Sequence, residues 1–333
     1  MTGEPAQGRD FVLDPFQREA QAALDAGQNV LVSVPTGAGK TVVAEHAVAL
    51  AVAAGERAFY TTPIKALSNQ KHADLVAEHG SDRVGLLTGD RVVNGDADVV
   101  VMTTEVLRNM IYAGSSALDR VRFVVLDEVH YLQDPYRGPV WEEVVVHAPP
   151  HIRLVCLSAT VSNARELADW ISSVRGPTAT VLSDHRPVPL DHHYMVSDRN
   201  QVDPLVLPVL VDGRPNREGD RFDADRSWED RRRGRGGAPG GRGRRRHRTP
   251  RRLEVVDALE ERSMLPAIVF IFSRAACDDA TASCLDAGLR LTEPEERTRI
   301  RAIAEHHVRV LADGDLDVLG YDRWLAALEA GVA

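Results

Sequence analysis

The sequence predicts an α/β protein built on an open, mostly parallel sheet. Three observations carry that prediction. Strand-like and helix-like segments alternate through the first half of the chain. The strand-like segments are continuous apolar runs, the pattern of strands covered on both faces, and do not alternate. The first of them runs straight into a glycine-rich turn, Thr36-Gly37-Ala38-Gly39-Lys40-Thr41, which opens a long helix.

The elements follow in order. Residues 29–35 form the first strand, and the Ala/Val-rich helix after the turn ends near Gly55. Residues 58–63 form the second strand, with a helix from about Ile64. Residues 84–87, 99–102, 123–127 and 154–158 read as further buried strands. Sheets of this kind take their ligands at the C-terminal ends of the strands. Composition changes sharply near Asn200. Residues 212–252 are rich in Arg, Gly, Asp and Pro and almost free of aliphatic side chains, so they cannot bury a core and read as a disordered insert. Patterning returns near Leu253 with a helix, a strong strand at 267–272 and a helix from Arg274. Residues 293–311 and 315–328 look helical, the second interrupted by Gly320. The expected organisation is a flexible 1–10, a first domain over 11–200, the insert at 212–252 and a second region over 253–333.

The bulk numbers set limits. The chain has 333 residues, 44% hydrophobic and 27% charged, which suits a globular protein with two cores. No apolar run approaches the ~20 residues of a membrane span, and no signal peptide is evident, so a cytoplasmic protein is expected. Cys156, Cys277 and Cys284 lack metal-ligand spacing and read as reduced thiols. The formal charge is −9, yet residues 231–252 hold eleven arginines and no carboxylate. Setting those eleven positive charges aside leaves −20 on the remainder. Nucleic acid could therefore be held by the globular part only through local amides and a few placed cations.

The glycine-rich turn has the context of a phosphate-binding loop, between a strand and a helix. Its glycines let the backbone N–H groups turn toward phosphate, and the helix N-terminus adds partial positive charge. Lys40 can reach the β- and γ-phosphates, and the Thr41 hydroxyl can ligate Mg²⁺. The usual glycine six residues before the lysine is replaced by Val34. Asp127-Glu128-Val129-His130 ends another strand. An acidic pair there suits Asp127 as the Mg²⁺ carboxylate and Glu128 as the group that orients or deprotonates the attacking water. Alone, such a pair is as often a helix cap or a solvated turn; the phosphate loop gives it meaning.

Together these strings resemble the superkiller-type DExH (here DEVH) RNA helicases of superfamily two, and among them the bacterial HelY-like members. Phe16-Gln17 resembles their adenine-recognition motif. Residues 62–71, TPIKALSNQK, resemble the RNA-backbone motif, and GLLTGD at 85–90 and Thr103-Thr104-Glu105 resemble the next two RNA-contact motifs. DEVHYLQDPYRGPVWEE and Ser158-Ala159-Thr160 resemble the hydrolysis and coupling motifs; NARELADWI, RPVPL and FIFSRAACDDA are further markers.

The resemblance implies a RecA-like ATPase domain followed by part of a second one, with ATP and Mg²⁺ as cofactors and RNA as partner. The RNA-degradation machinery is implied as a further partner. It assigns Gln17 to the adenine edge with Phe16 beside it, although Phe16 is equally a plain core residue. Thr36 to Thr41 hold the nucleotide, and Lys40, Asp127 and Glu128 serve catalysis. Pro63, Lys65, Ala66 and Gly89 line the RNA path. Thr104 and Glu105 open a helix whose amides can hold a phosphate, and are also an ordinary helix start. His130, Ser158 and Thr160 couple nucleotide state to RNA grip. The family's arginine-finger motif, resembling Gln-x-x-Gly-Arg-x-Gly-Arg, does not occur in the chain, so a C-terminally truncated product, a fragment or a split gene is expected. Two other functions stay open, a noncatalytic nucleotide- and RNA-binding module and a DNA-directed relative. The arginine-rich insert is either an RNA tether or a solvated low-complexity loop.

Overall fold

The computed structural model describes residues 12–198, 203–220, 222, 247–309, 311 and 313–333. The chain forms two compact units, one up to Leu190 and one from Asp191.

The first unit is organised by an eight-stranded sheet of order β4-β3-β5-β2-β6-β7-β1-β8. Its strands are β1 (Asn29–Ser33), β2 (Arg57–Thr62), β3 (Val84–Leu87), β4 (Val92–Val93), β5 (Val99–Thr103), β6 (Val121–Leu126), β7 (Arg153–Ser158) and β8 (Thr178–Leu182). Every pairing is parallel except the short β3–β4 edge. The connections run through α1 (Pro15–Asp25), α2 (Thr41–Ala53), α3 (Lys65–His79), α4 (Thr104–Tyr112), α5 (Gly138–His147) and α6 (Ala164–Arg175).

Side chains of the central strands divide between two cores. Val30, Val32, Tyr60, Val101 and Val125 pack on one face with Val43, Ala47 and Leu75 of α2 and α3. Leu31, Phe59, Val100, Val124 and Leu126 pack on the other with Leu107, Trp141 and Ile171 of α4, α5 and α6. Burial on both faces is why these runs do not alternate in the sequence. Each fully buried aliphatic or aromatic side chain contributes about 1.5–3 kcal/mol, and these two clusters are the bulk of the unit's stability.

The strands expected in the first unit are all present, with ends moved by one or two residues. Two edge strands were not foreseen. β4 has only two residues. β8 reads Thr-Ala-Thr-Val-Leu and buries only Val181 fully, so its apolar signal is weak.

The second unit starts before the composition change near Asn200, because β9 (His193–Asp198) pairs antiparallel with β10 (Leu205–Pro208) and β13 (His247–Arg248). A hairpin of β11 (Leu210–Val211) and β12 (Arg214–Pro215) follows, then a 3₁₀ turn at Arg217–Gly219. The disordered reading of 212–252 is thus too wide. Its edges carry structure, fixed on one side by Asn216 donating to the Pro208 carbonyl and on the other by Arg248 pairing with Glu254. The arginine-rich centre at 223–246 and the expected flexible 1–10 lie outside the described residues.

Among the described residues five helices follow, α7 (Arg252–Glu260), α8 (Arg274–Asp286), α9 (Pro294–Val308), α10 (Asp313–Leu319) and α11 (Tyr321–Glu329). Gly320, at φ 65°, breaks the last segment in two as expected. The strand expected at 267–272 does not form. Among the described residues nothing pairs with it, and Ile268, Val269, Phe270 and Phe272 are exposed. A strand needs a neighbouring ladder, and β-propensity alone cannot replace one.

Candidate functional site

Because the strands are parallel, their C-terminal ends lie along one edge of the sheet, and the strand order sorts what they carry. β3, β5 and β2 deliver Thr88-Gly89-Asp90, Thr104-Glu105 and Pro63 to Ala66. β6, β7 and β1 deliver Asp127-Glu128, Ser158 to Thr160 and the glycine-rich loop. Two groups of motifs, separate in the sequence, form two halves of one edge, and they meet where β2 adjoins β6.

The loop at the end of β1 has the shape its glycines permit. Gly37 and Gly39 sit at φ 84° and 88°, a region closed to other residues at little cost. A Cβ on Gly39 would also lie 2.8 Å from Gln17 Nε2. Thr41 opens α2 directly behind the loop. Val34, standing where a glycine is usual, is buried in the core, and its N–H donates to the Ser158 carbonyl at 3.3 Å. The position is a continuation of β1, so no unusual backbone is needed there. Lys40 Nζ lies 3.5 Å from the Val34 carbonyl. Burial lowers the Lys40 ammonium below its ordinary pKa, against the opposing pull of Glu128 and Asp127.

Asp127 leaves β6 with both carboxylate oxygens engaged. Tyr60 donates its hydroxyl to Oδ2 at 2.9 Å, and the Glu128 N–H donates to Oδ1 at 2.9 Å. Burial, then the Asp127 charge, pushes the Tyr60 phenol well above its ordinary pKa, so it remains a donor. Glu128 adopts a left-handed backbone, φ 53° and ψ 43°, a strained choice of ~1–3 kcal/mol for a residue with a Cβ. The turn directs the chain into a 3₁₀ segment, Val129–Gln133, and leaves Glu128 Oε2 3.2 Å from His130 Nδ1. Tyr131 stacks on the buried Trp141 at 5.6 Å, anchoring the segment to α5.

The Ser158-Ala159-Thr160 segment is tied to both neighbours. Ser33 Oγ at the end of β1 donates to the Ala159 carbonyl at 3.1 Å and accepts the Val161 N–H at 3.3 Å. Gln133 donates to Asn163 Oδ1 at 2.9 Å, joining the DEVH segment to the loop after β7. Ser158 is buried and its Oγ has no hydrogen-bond partner among the described residues; Thr160 is exposed.

On the other half, Ile64, Lys65, Ala66 and Gly89 are exposed and Pro63 is buried. Lys65 Nζ pairs with Asp90 Oδ1 at 3.0 Å. Bonds from Lys65, then Thr88, hold the Asp90 carboxyl below its usual range. Thr104 is fully buried, and its hydroxyl donates to the Thr62 carbonyl at 3.4 Å. What it offers outward is therefore the backbone at the start of α4, while its side chain braces β5 against β2. Arg137 reaches across the seam to the Pro63 carbonyl at 3.5 Å.

Beside the phosphate loop lies a cavity of about 400 Å³ bounded by Pro15, Phe16, Ala38, Leu182, His185 and Pro187. Its place suits a nucleotide base. Gln17 stands behind it, almost wholly buried, with one amide hydrogen on the Gly39 carbonyl at 3.0 Å and its oxygen accepting the Asp14 N–H at 2.9 Å. Gln17 thus ties the glycine-rich loop, through its amide donor, to the start of α1, through its oxygen.

The DEAD/DEAH box helicase family matches residues 14–167, the stretch that spans this edge from Phe16 to Ser158-Ala159-Thr160. Residues 14–167 form a DEAD/DEAH box helicase domain. The chain is 54% identical to the probable helicase HelY of Mycobacterium tuberculosis over 97% of its own length and 36% of HelY. It is 38% identical to the chloroplastic DExH-box ATP-dependent RNA helicase DExH15 of Arabidopsis thaliana, over 91% of this chain and 30% of that one. To the exosome RNA helicase MTR4 of Homo sapiens it is 35% identical, over 99% and 31%. The chain spans about a third of the length of these relatives. Among solved structures, the DUF1998 helicase MrfA shares the fold, with a TM-score of 0.52 at 16% identity over 88% of this chain and 42% of that one.

The helicase domain's donor set fits a magnesium nucleotide. Mg²⁺ keeps several waters and takes one or two carboxylates plus phosphate oxygens. Thr41 could offer a hydroxyl and Asp127 a carboxylate to such an ion, which would neutralise phosphate charge there. Sequence reading missed Ser33, Tyr60 and the wall at Leu182 to Pro187. Ser33 and Tyr60 are polar groups inside apolar strands, and only their neighbours across the sheet reveal their partners.

Proposed function

We propose that this chain is the ATP- and RNA-binding front part of an ATP-dependent RNA helicase. The observation that carries the reading is the strand order, which gathers the candidate nucleotide motifs on β6, β7 and β1 and the candidate nucleic-acid motifs on β3, β5 and β2, side by side at the β2–β6 seam. Lys40, Thr41 and the loop amides hold the triphosphate and Asp127 the Mg²⁺. Glu128 orients or deprotonates the attacking water, with His130, Ser158 and Thr160 beside it for coupling. Phe16 walls the base cavity and Gln17 steadies the loop beneath it. Pro63, Lys65, Ala66, Gly89 and the start of α4 at Thr104 and Glu105 follow an RNA backbone. RNA is favoured over DNA because the relatives DExH15 and MTR4 are described as RNA helicases; the exosome in MTR4's description favours RNA-degradation machinery as the partner.

Residues 253–333 are proposed as part of a second RecA-like domain. On that reading the 333-residue chain binds ATP–Mg²⁺ but does not displace a strand by itself. An arginine finger contributes ~10³–10⁵ in rate to phosphoryl transfer where it has been measured, and the motif that would supply it is not in this sequence.

The test begins with calorimetry of ATP–Mg²⁺ on the chain and on Lys40→Ala. Removal of the phosphate-facing charge should weaken binding at least tenfold without changing the melting temperature; unchanged affinity would end the site assignment. Strand displacement on a tailed RNA duplex should be absent for this chain alone, and ATP-dependent displacement lost in Lys40→Ala would refute that part. Single-stranded RNA should outcompete DNA of the same sequence.

A further inference from the structure

Tyr60 stands on β2, the strand that leads into the nucleic-acid half, yet its side chain serves the strand next to it. It is 1% exposed, its ring packs in the core beside α2 and α3, and its hydroxyl reaches Asp127 Oδ2 at 2.9 Å. A buried phenol is a poor choice for a core position unless its oxygen is bonded, and a phenylalanine would fill the same space, as Phe59 does on the opposite face. The bond Tyr60 makes is charge-assisted and ends on a metal-side carboxylate. The last torsion of an aspartate is broad and soft when nothing holds it. Here the Glu128 N–H holds Oδ1 at 2.9 Å while Tyr60 holds Oδ2, one donor on each oxygen. The plane of the carboxylate is thereby fixed, and each oxygen keeps a lone pair for a further ligand. Lys71 Nζ lies 5.6 Å from the centre of the Tyr60 ring, so α3, whose first residue is Lys65, steadies the ring as well.

We propose that Tyr60 is a positioning residue whose hydroxyl orients the Asp127 carboxylate and so sets the Mg²⁺ affinity of the nucleotide site. The proposal rests on Asp127 being the Mg²⁺ carboxylate. It also places the β2–β6 seam at a point where a shift of β2 would be felt by the metal ligand.

The experiment follows binding of a fluorescent ATP analogue to the 333-residue chain in EDTA and across a Mg²⁺ titration. Tyr60→Phe keeps the ring, its packing and the Lys71 contact, and removes only the hydroxyl. Binding in EDTA should stay within twofold, while the Mg²⁺ midpoint should rise about tenfold, the lower end of what loss of a metal ligand's outer partner costs. Thr61→Val, on the same strand, removes a buried side-chain bond to the Val125 carbonyl and keeps the Thr61 carbonyl on the Asp127 N–H and both donors to the Asp127 carboxylate, so its midpoint should not move. Asp127→Asn should abolish the Mg²⁺ enhancement, and adding Tyr60→Phe to it should change nothing further.

An unmoved midpoint in Tyr60→Phe, beside an effective Asp127→Asn, would overturn the proposal alone. An equal shift in Thr61→Val, or a Tyr60→Phe chain unfolded at the assay temperature, would overturn it by showing that the strand is at stake and the carboxylate is not. Full enhancement in Asp127→Asn would overturn the metal reading and the proposal with it.

Discussion

Val121–Leu126 in the first unit and residues 267–272 in the second are nearly the same sequence in kind, VRFVVL against AIVFIF. The first is β6, paired on both sides by β2 and β7, with Phe123 fully buried. The second forms no ladder among the described residues; Phe270 is 83% exposed and Phe272 wholly so. The second is, if anything, the more apolar of the two. What separates them is the supply of neighbours. In the first unit seven other strands stand ready to satisfy backbone N–H and C=O groups and to bury side chains. From Asp191 onward the described strands pair among residues 193–248, away from the apolar run. The segments proposed for nucleotide and nucleic acid all sit on the well-supplied sheet, where their positions are fixed by both cores.

The strongest way to break this comparison is to put the same charge into both runs. Val125 is fully buried, and Val125→Asp should abolish cooperative unfolding of the first unit, since an unpaired buried carboxylate costs several kcal/mol of a stability of ~5–15 kcal/mol. Phe270→Asp should change stability by no more than about 0.5 kcal/mol, as expected of an exposed site. Circular dichroism in a urea titration measures both. A large loss in Phe270→Asp would mean that 267–272 is buried in solution, and the contrast between the units would fail.

Thiol chemistry gives a smaller and sharper reading. Cys156 lies within β7, fully buried, its pKa pushed up to about 12 by burial. Cys277 follows the exposed run and is itself exposed; Cys284 is buried in α8. Reactivity follows thiolate access. Titration with a chromogenic disulfide should therefore modify Cys277 first, Cys284 as the second unit opens, and Cys156 only when the sheet unfolds. Early modification of Cys156 would show that the sheet opens more readily than the comparison requires.

These contrasts also mark what was legible in the sequence. Strands β1, β2, β3, β5, β6 and β7 were found within a residue or two because burial on both faces writes itself as an apolar run. The glycine-rich loop and Asp127-Glu128 were legible as motifs because each is a short string of particular residue types, and the structure places them at the C-terminal ends of β1 and β6. β8 was not, since an edge strand buries too little of its side chains to leave a pattern. The hydrogen bonds of Gln17, Thr104 and Tyr60 were not legible, because they go to Gly39, Thr62 and Asp127, contacts between separate elements that no local spacing encodes. The error at 267–272 has the same origin. A run states a propensity, and whether it is used depends on segments elsewhere.

The smallest effect is expected from deleting residues 223–246. They hold nine arginines and four carboxylates, and no Val, Leu, Ile, Met or Phe, so composition gives them little to bury. The residues that flank them are close in space: the ring of Phe222 meets that of His247 edge-on, 4.8 Å between centroids. A short Gly-Ser linker can therefore close the gap without disturbing β13. Loop-closure entropy changes by only about 0.6 kcal/mol per doubling of length, so the shorter loop should leave the melting temperature unchanged or slightly raised. RNA binding should weaken in 50 mM salt and converge with that of the intact chain in 200 mM salt, because the lost arginines act through counterion release. Fluorescence anisotropy with a labelled single-stranded RNA across that salt range measures the difference. Equal affinity at every salt would make the segment a solvated loop and leave all nucleic-acid binding to the sheet edge of the first unit. A fall in cooperative unfolding would show that the second unit has a core that depends on residues 223–246, and would redraw the comparison from that side.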